Sequence, residues 1–223
     1  MSRRIGNQNM TLCQNDNETT ISTYDATAQA YTDRWFTFRL EKQMRRFTSY
    51  LTPGALVLDA GCGPGRDVGY LRELGYRAIG LDRSWGMLSE AQRRVHGPWV
   101  CGDLRALPFA DGSFDGAWAC ASLLHLPKAD MPRALAELRR VLKGGVLFLA
   151  LKKGDGEERV MGSDGRCRYF AYYQMPELHD LCLEARFEIL EAQTEADAAG
   201  RAEVWLNLIA RAVGGTPLGL AEG

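Results

Sequence analysis

The stretch Ala55-Leu56-Val57-Leu58-Asp59-Ala60-Gly61-Cys62-Gly63-Pro64-Gly65 decides the fold of this chain. Residues 55–59 are apolar until a terminal carboxylate, which predicts a strand covered on both faces, as in a parallel sheet sandwiched by helices. The glycines at 61, 63 and 65 follow at once, and glycine lets backbone N–H groups approach a ligand closely where a strand turns into a helix. A dinucleotide-binding turn would need its third glycine at position 66, where Arg66 stands, so the nicotinamide reading is disfavoured.

Working outward, the same alternation repeats. Val68, Leu71 and Leu74 predict a helix over residues 66–74 with Gly75 as its stop, and a second strand covers 77–82. Ser84 can cap a helix with the apolar stripe Met87, Leu88, Ala91 and Val95, followed by a strand at 99–101. A fourth strand is expected at 114–121. Met131, Leu135, Leu138 and Leu142 form the inner face of a helix ending at Gly144 and Gly145, and 146–151 is a fifth strand. Late strands are expected at 187–192 and 202–211, the last inserted antiparallel. Strand-helix alternation of this kind predicts a doubly wound α/β domain with a mostly parallel sheet.

Three further segments complete the plan. Residues 152–165 are polar and glycine-rich and read as a mobile flap over the strand ends; Pro176 then opens a helix through 185. Before the first strand, Tyr24, Ala28, Tyr31, Trp35, Phe38 and Met44 have helical spacing, which predicts a helical prelude within 24–50 packed on the domain. The expected organisation is a flexible segment at 1–22, a single domain at 23–213 and a flexible tail at 214–223.

Composition narrows the partners. The chain has 223 residues, 46% of them hydrophobic, enough for one core. With 27 basic and 28 acidic residues the net charge is -1, so no global positive field draws in nucleic acid. No run approaches the roughly 18 apolar residues that span a bilayer, which argues against membrane insertion and for a cytoplasmic location. The six cysteines contain no CxxC pair and read as reduced, mostly buried thiols. The histidines, His96, His125 and His179, lie in separate segments, so metal independence is expected.

Two carboxylates extend the glycine turn into a constellation. Asp82 ends the second strand, where it can accept from both hydroxyls of a ribose; a helix N-terminal acid is the bland alternative. Asp103 follows the third strand, where it can accept from an exocyclic amine while the Leu104 N–H meets a ring nitrogen. The segments VLDAGCGPG, GLDRSWGML, GDLRALPFADGSFDGAW and LRRVLKGGVLFL, in this order, resemble the class I S-adenosylmethionine-dependent methyltransferases from Tyr24 to about Arg211.

That resemblance implies a seven-stranded Rossmann-like sheet with S-adenosyl-L-methionine across the carboxyl ends of the strands. It places Asp59, Gly61 and Gly63 at the methionine part, Asp82 at the ribose, and Asp103 with Leu104 at the adenine, with Cys62 and Arg83 also among the cofactor-binding residues. Trp85 and Met87 resemble the apolar adenine flank, Cys120 and Ala121 lie under the sulfonium, and Tyr24 and Tyr31 resemble aromatics that close over the cofactor. Lys143-Gly144-Gly145 departs from the family, which often has proline before the glycines. Arg66 can engage the cofactor carboxylate bidentately or pair with Asp67 or Glu73; both stand open.

On the acceptor side, His125 is either a base poised near neutrality or a structural histidine in an apolar loop. In the run 168–173, alternation turns Arg168, Phe170 and Tyr172 one way and Tyr169, Ala171 and Tyr173 the other, with Tyr172 and Tyr173 as catalytic candidates. The expected activity is methyl transfer to a small-molecule acceptor. Methylation of tRNA or protein, docked on Arg39, Lys42, Arg45 and Arg46, and a non-catalytic cofactor-binding module are the alternatives.

Overall fold

The computed structural model describes residues 16–162 and 164–213. In chain order the strands are β1 (Leu56–Ala60), β2 (Arg77–Asp82), β3 (Trp99–Cys101), β4 (Phe114–Cys120), β5 (Leu142–Lys152), β6 (Glu157–Met161), β7 (Cys167–Ala171), β8 (Phe187–Ala196) and β9 (Val204–Ala212). The helices are α1 (Asp16–Trp35), α2 (Glu41–Thr48), α3 (Arg66–Glu73), α4 (Trp85–Arg94), α5 (Met131–Val141) and α6 (Met175–Glu184).

Seven strands form one sheet in the order β3-β2-β1-β4-β5-β9-β8. β1 runs parallel to β2 on one side, with Leu56 opposite Arg77, and parallel to β4 on the other, with Val57 opposite Gly116. The chain therefore reverses its winding between β1 and β4, and a ligand crevice is expected outside the carboxyl ends at such a switch point. β9 inserts antiparallel between β5 and β8, with Val146 opposite Arg211. The doubly wound, mostly parallel sheet expected from the sequence is the fold.

Side-chain alternation along the strands divides the core in two. Leu58, Ala117 and Leu149 face the layer of α5 and α6, whereas Val57, Trp118 and Phe148 face α2 and α3. On the second face the Trp118 and Phe148 rings stack with centroids 3.9 Å apart.

The structure differs from the sequence reading in four places. The prelude is two helices, because α1 ends at Trp35 and α2 starts at Glu41. The domain boundary expected at 23 falls inside α1, and residues 1–15 and 214–223 lie outside the described residues. The flap at 152–165 is largely regular: β6 pairs antiparallel with β7, Glu157 opposite Ala171 and Met161 opposite Cys167. The polarity that suggested a flap belongs to the outer strand of a ribbon, four of whose five residues are exposed. Finally, α5 ends at Val141 and β5 begins at Leu142, before the glycines; a Cβ at Gly145 would stand 2.2 Å from the Asp115 carbonyl oxygen.

Candidate functional site

The glycine turn is built by packing on one side and left bare on the other. Gly61 has φ +86° and a Cβ there would stand 2.2 Å from Cβ of Ser122, so β1 and the end of β4 approach too closely for any side chain. Gly65, with φ +79°, faces the Trp99 ring, 2.4 Å from an added Cβ. Gly63, with φ +51°, has nothing within 4 Å of that position and opens onto a cavity of about 650 Å³. That volume lies in the range of small-molecule sites.

Asp82 ties the turn to the next helix. Its Oδ2 accepts from the Gly63 N–H at 2.8 Å and its Oδ1 from the Ser84 N–H at 2.8 Å, while the Ser84 hydroxyl accepts from Met87 N at the start of α4. Burial pushes the Asp82 carboxyl up, against the pull of those backbone donors. Asp25 of α1 joins from the other side, accepting from the Ser84 hydroxyl at 2.6 Å and from Gly86 N at 2.9 Å. Asp25 was not singled out from the sequence; no helical periodicity marks it, and it acts through a contact 59 residues away.

Beneath the turn, Asp59 is buried, and its Oδ2 has no hydrogen-bond partner among the described residues. Burial and the neighbouring Asp67 hold its carboxyl well above the usual range. Arg66 donates to Asp67 from Nε and Nη2, both at 2.8 Å, and Trp118 Nε1 donates to the same carboxylate at 3.0 Å. The structure thus resolves the pairing of Arg66 in favour of Asp67, with Arg66 still in the cavity wall; Glu73 is held by Arg39. Ser122 also lines the cavity, with its hydroxyl unpartnered among the described residues. Burial pushes the Cys62 and Cys120 thiols up, so both stay protonated beside the turn.

At the far end, Asp103, Leu104, Arg83 and Met87 all line the cavity. The Asp103 carboxylate is already engaged: Arg105 donates to it from its backbone N, Nε and Nη2 at 2.9, 2.9 and 2.6 Å, and Arg83 Nη1 lies at 3.2 Å. These contacts, led by the Arg105 side chain, hold Asp103 below the usual range. Trp85 is 66% exposed and stands outside the cavity wall, so it does not flank the site as expected; Met87, buried, does.

Over the strand ends, Tyr24 and Tyr31 of α1 close the cavity. The Tyr24 hydroxyl lies 2.8 Å from His125 Nε2, and His125 Nδ1 lies 2.8 Å from the Tyr169 carbonyl oxygen. A carbonyl only accepts, so Nδ1 carries the proton, Nε2 accepts, and Tyr24 donates. Burial, then Lys152 and Arg168, push His125 down to about 4 against the Tyr169 carbonyl, so the imidazole is neutral at pH 7.

Two expected acceptor-side residues are not brought to the cavity. Alternation along β7 holds, with Arg168 and Phe170 in the wall and Tyr169, Ala171 and Tyr173 in the core. Tyr173 is fully buried in that core, and the Tyr172 hydroxyl donates to Glu158 at 2.6 Å, away from the wall. The tyrosines of the cavity come from α1 instead. Residues missed in the sequence complete the wall, among them Lys152, the first polar residue after the apolar run of β5, and Trp205, the second residue of β9. Of the cations read as an RNA-docking patch, Arg39, Lys42 and Arg46 are paired with Glu73, Glu195 and Glu191. Among the described residues no group of three metal-ligating side chains gathers, and no helix is long and apolar enough to cross a membrane.

A family model described as a methyltransferase domain matches residues 58–150. A protein of Encephalitozoon cuniculi named as a methyltransferase is 34% identical over 175 residues, covering 69% of this chain and 80% of its own length. Malonyl-[acyl-carrier protein] O-methyltransferase of Serratia marcescens is 34% identical over 146 residues, covering 62% of this chain and 56% of its own length, so the chain spans less than two thirds of that relative. Among solved structures, 1,6-didemethyltoxoflavin-N1-methyltransferase of Burkholderia thailandensis, described with bound 1,6-didemethyltoxoflavin and S-adenosylhomocysteine, superposes with a TM-score of 0.71. It does so at 22% identity, over 95% of this chain and 92% of its own. The match of fold, glycine turn and relatives makes this chain a class I S-adenosylmethionine-dependent methyltransferase.

Proposed function

We propose that the cavity binds S-adenosylmethionine along the switch point and presents its methyl group to a small-molecule acceptor under α1. The observation that carries this reading is the glycine turn joined to Asp82, with a bare position at Gly63 and the unpartnered Ser122 Oγ in the cavity wall; Asp59 lies beneath the turn, outside that wall. Ser122 Oγ suits an ammonium donor such as that of the methionine part, Asp82 suits two ribose hydroxyls, and Leu104 with Met87 suits a flat adenine. When bound, the cofactor supplies a methyl group already activated by a positive sulfur.

The chain's own residues then hold, orient and exclude water. Tyr24 and Tyr31 roof the site, and the half-buried Cys120 thiol and Ala121 form its floor. His125 is a positioning residue in this reading: its lone pair accepts from Tyr24, so it fixes the phenol rather than meeting the acceptor itself. Burial keeps Tyr24 protonated, which suits a donor in the roof. A small acceptor is supported by the Burkholderia relative, described with bound 1,6-didemethyltoxoflavin, and by the pairing of the prelude cations within the chain.

Calorimetric titration with S-adenosylmethionine, and separately with NAD, tests the reading. Saturable binding of the first near one per chain, without binding of the second, is the expected result; NAD binding alone, or neither, overturns it.

A further inference from the structure

Past the cofactor end, the polar side chain of Asn207 has a fixed orientation and an unused half. Asn207 of β9 is 7% exposed and lines the cavity. Its Nδ2 donates to Glu195 Oε2 at 2.7 Å, and no other hydrogen bond engages this side chain among the described residues. Gln43 of α2, also in the wall, donates from Nε2 to the same oxygen at 2.9 Å, so the two amides are neighbours.

The orientation follows from charge. Lys42 Nζ donates to Glu195 Oε1 at 2.6 Å; burial opposes the Glu195 charge, but Lys42, Gln43 and Asn207 together hold its carboxyl below the usual range. A carboxylate only accepts, so each amide turns its NH2 group toward it and its carbonyl oxygen away. Asn207 therefore presents Oδ1 to the cavity, where an unpaired acceptor is unfavourable until a donor meets it.

Sheet register fixes where this oxygen stands. Cys120 of β4 is opposite Ala150 of β5, and Ala150 is opposite Asn207, so the three share one row on one face of the sheet, and all three line the cavity. Two strand spacings set Asn207 about 10 Å from Cys120, with the small Ala150 between them. Gly63, Asp82 and Asp103 follow or end β1, β2 and β3, on the other side of β4. Trp205 lies two residues before Asn207, on the same face of β9; its Nε1 is taken by Asp197 Oδ2 at 2.7 Å, so its ring offers the cavity apolar surface.

We propose that the methyl acceptor carries an N–H or O–H group, separate from the atom that takes the methyl, which donates to Asn207 Oδ1 while an apolar part lies against Trp205. The inference rests on the methyltransferase reading of the same cavity and narrows its substrate class. A site built to receive a donor rejects an analogue of the same shape that lacks it, because the oxygen then stays unpaired.

The test uses the full chain saturated with S-adenosylhomocysteine, whose own binding is measured first; failure at that step strikes the methyltransferase reading, not this one. Indole, and benzofuran, which has the same shape without the N–H, are then titrated by nuclear magnetic resonance. Indole should bind about ten-fold more tightly. That preference should fall to near unity in Asn207→Leu, with S-adenosylhomocysteine affinity retained as the check on folding. A crystal structure of the wild-type chain with S-adenosylhomocysteine and indole decides the matter if that variant does not fold: the indole nitrogen should stand about 3 Å from Asn207 Oδ1. No binding of indole, equal binding of the two probes, a preference that survives in folded Asn207→Leu, or an indole nitrogen placed elsewhere overturns the proposal.

Discussion

Tyr24 and His125 stand 101 residues apart in sequence and meet at 2.8 Å, phenol oxygen to Nε2, directly under the roof of the cavity. The Tyr169 carbonyl fixes the imidazole from the other side, so three elements, α1, the turn after β4 and β7, share one hydrogen-bonded line. The line works only while His125 is neutral, because a protonated Nε2 would have no lone pair for Tyr24.

This gives a pH dependence with a defined sign. His125 titrates near 4 in the folded protein, lowered by burial and then by Lys152 and Arg168, against about 6.5 when unfolded. Below 6.5 the unfolded chain takes a proton that the folded chain refuses, so stability falls as pH drops from 6.5 toward 4 and is unaffected above that window. The loss approaches about 3 kcal/mol. Urea unfolding at pH 7.5 and 4.5 should show a larger loss for the wild type than for His125→Asn; equal losses would contradict a half-buried imidazole held neutral.

Asp82 has two duties, holding Gly63 and Ser84 in the free protein and, in the proposed complex, the ribose. Asp82→Ala should weaken S-adenosylmethionine binding by about 1–3 kcal/mol, the range for hydrogen bonds to a charged group. Calorimetry on a variant whose unfolding midpoint is known separates the two duties. Undiminished affinity in a folded variant would rule out the ribose contact.

The glycines of the turn are predicted to differ. Gly61→Ala meets both a left-handed backbone and the Ser122 side chain, whereas Gly63→Ala meets only the backbone penalty of about 1–2 kcal/mol. Gly61→Ala should therefore be the more destabilising, and Ser122→Gly should recover part of its loss but none of that at Gly63. Urea midpoints of the four variants decide this, and a Gly61 loss indifferent to Ser122 would mean that the close approach is not its cause.

What the sequence made legible follows from the range of each interaction. The strand-helix alternation and the glycine turn are local, so the topology and the turn that opens onto the cavity could be read directly. Asp103 does line the cavity, but its engagement by Arg105, two residues on, is a matter of side-chain geometry that residue spacing does not fix. Arg66 could not be settled, because Asp67 is made a fixed partner by Trp118, 51 residues away. Tyr173 failed for a related reason: period-two alternation separates the faces of β7, but only the position of α1 shows which face meets the cavity; Tyr172 follows the end of β7, and its hydroxyl goes to Glu158 instead. The ribbon of β6 and β7 was hidden because Glu157-Glu158-Arg159 has no apolar stripe and becomes a strand through its pairing.

Access to the cavity runs past α1. α1 is fastened to the edge of β7 by two threonines: Thr23 Oγ1 donates to the Cys167 carbonyl at 2.7 Å, and Tyr169 N donates to Thr20 Oγ1 at 2.9 Å. Both contacts are buried, so α1 and the β6–β7 ribbon should open as one unit when cofactor enters. Hydrogen exchange should then slow in both on S-adenosylmethionine binding, and more than in β5, which is buried in the core. Replacing both threonines with valine preserves shape and removes the bonds, at about 1 kcal/mol or more for each donor or acceptor left unpaired. In that variant α1 should exchange faster than in the wild type while the central strands do not change. Slowing confined to α1 in the wild type would show that the helix moves alone, and that the ribbon is part of the fixed wall.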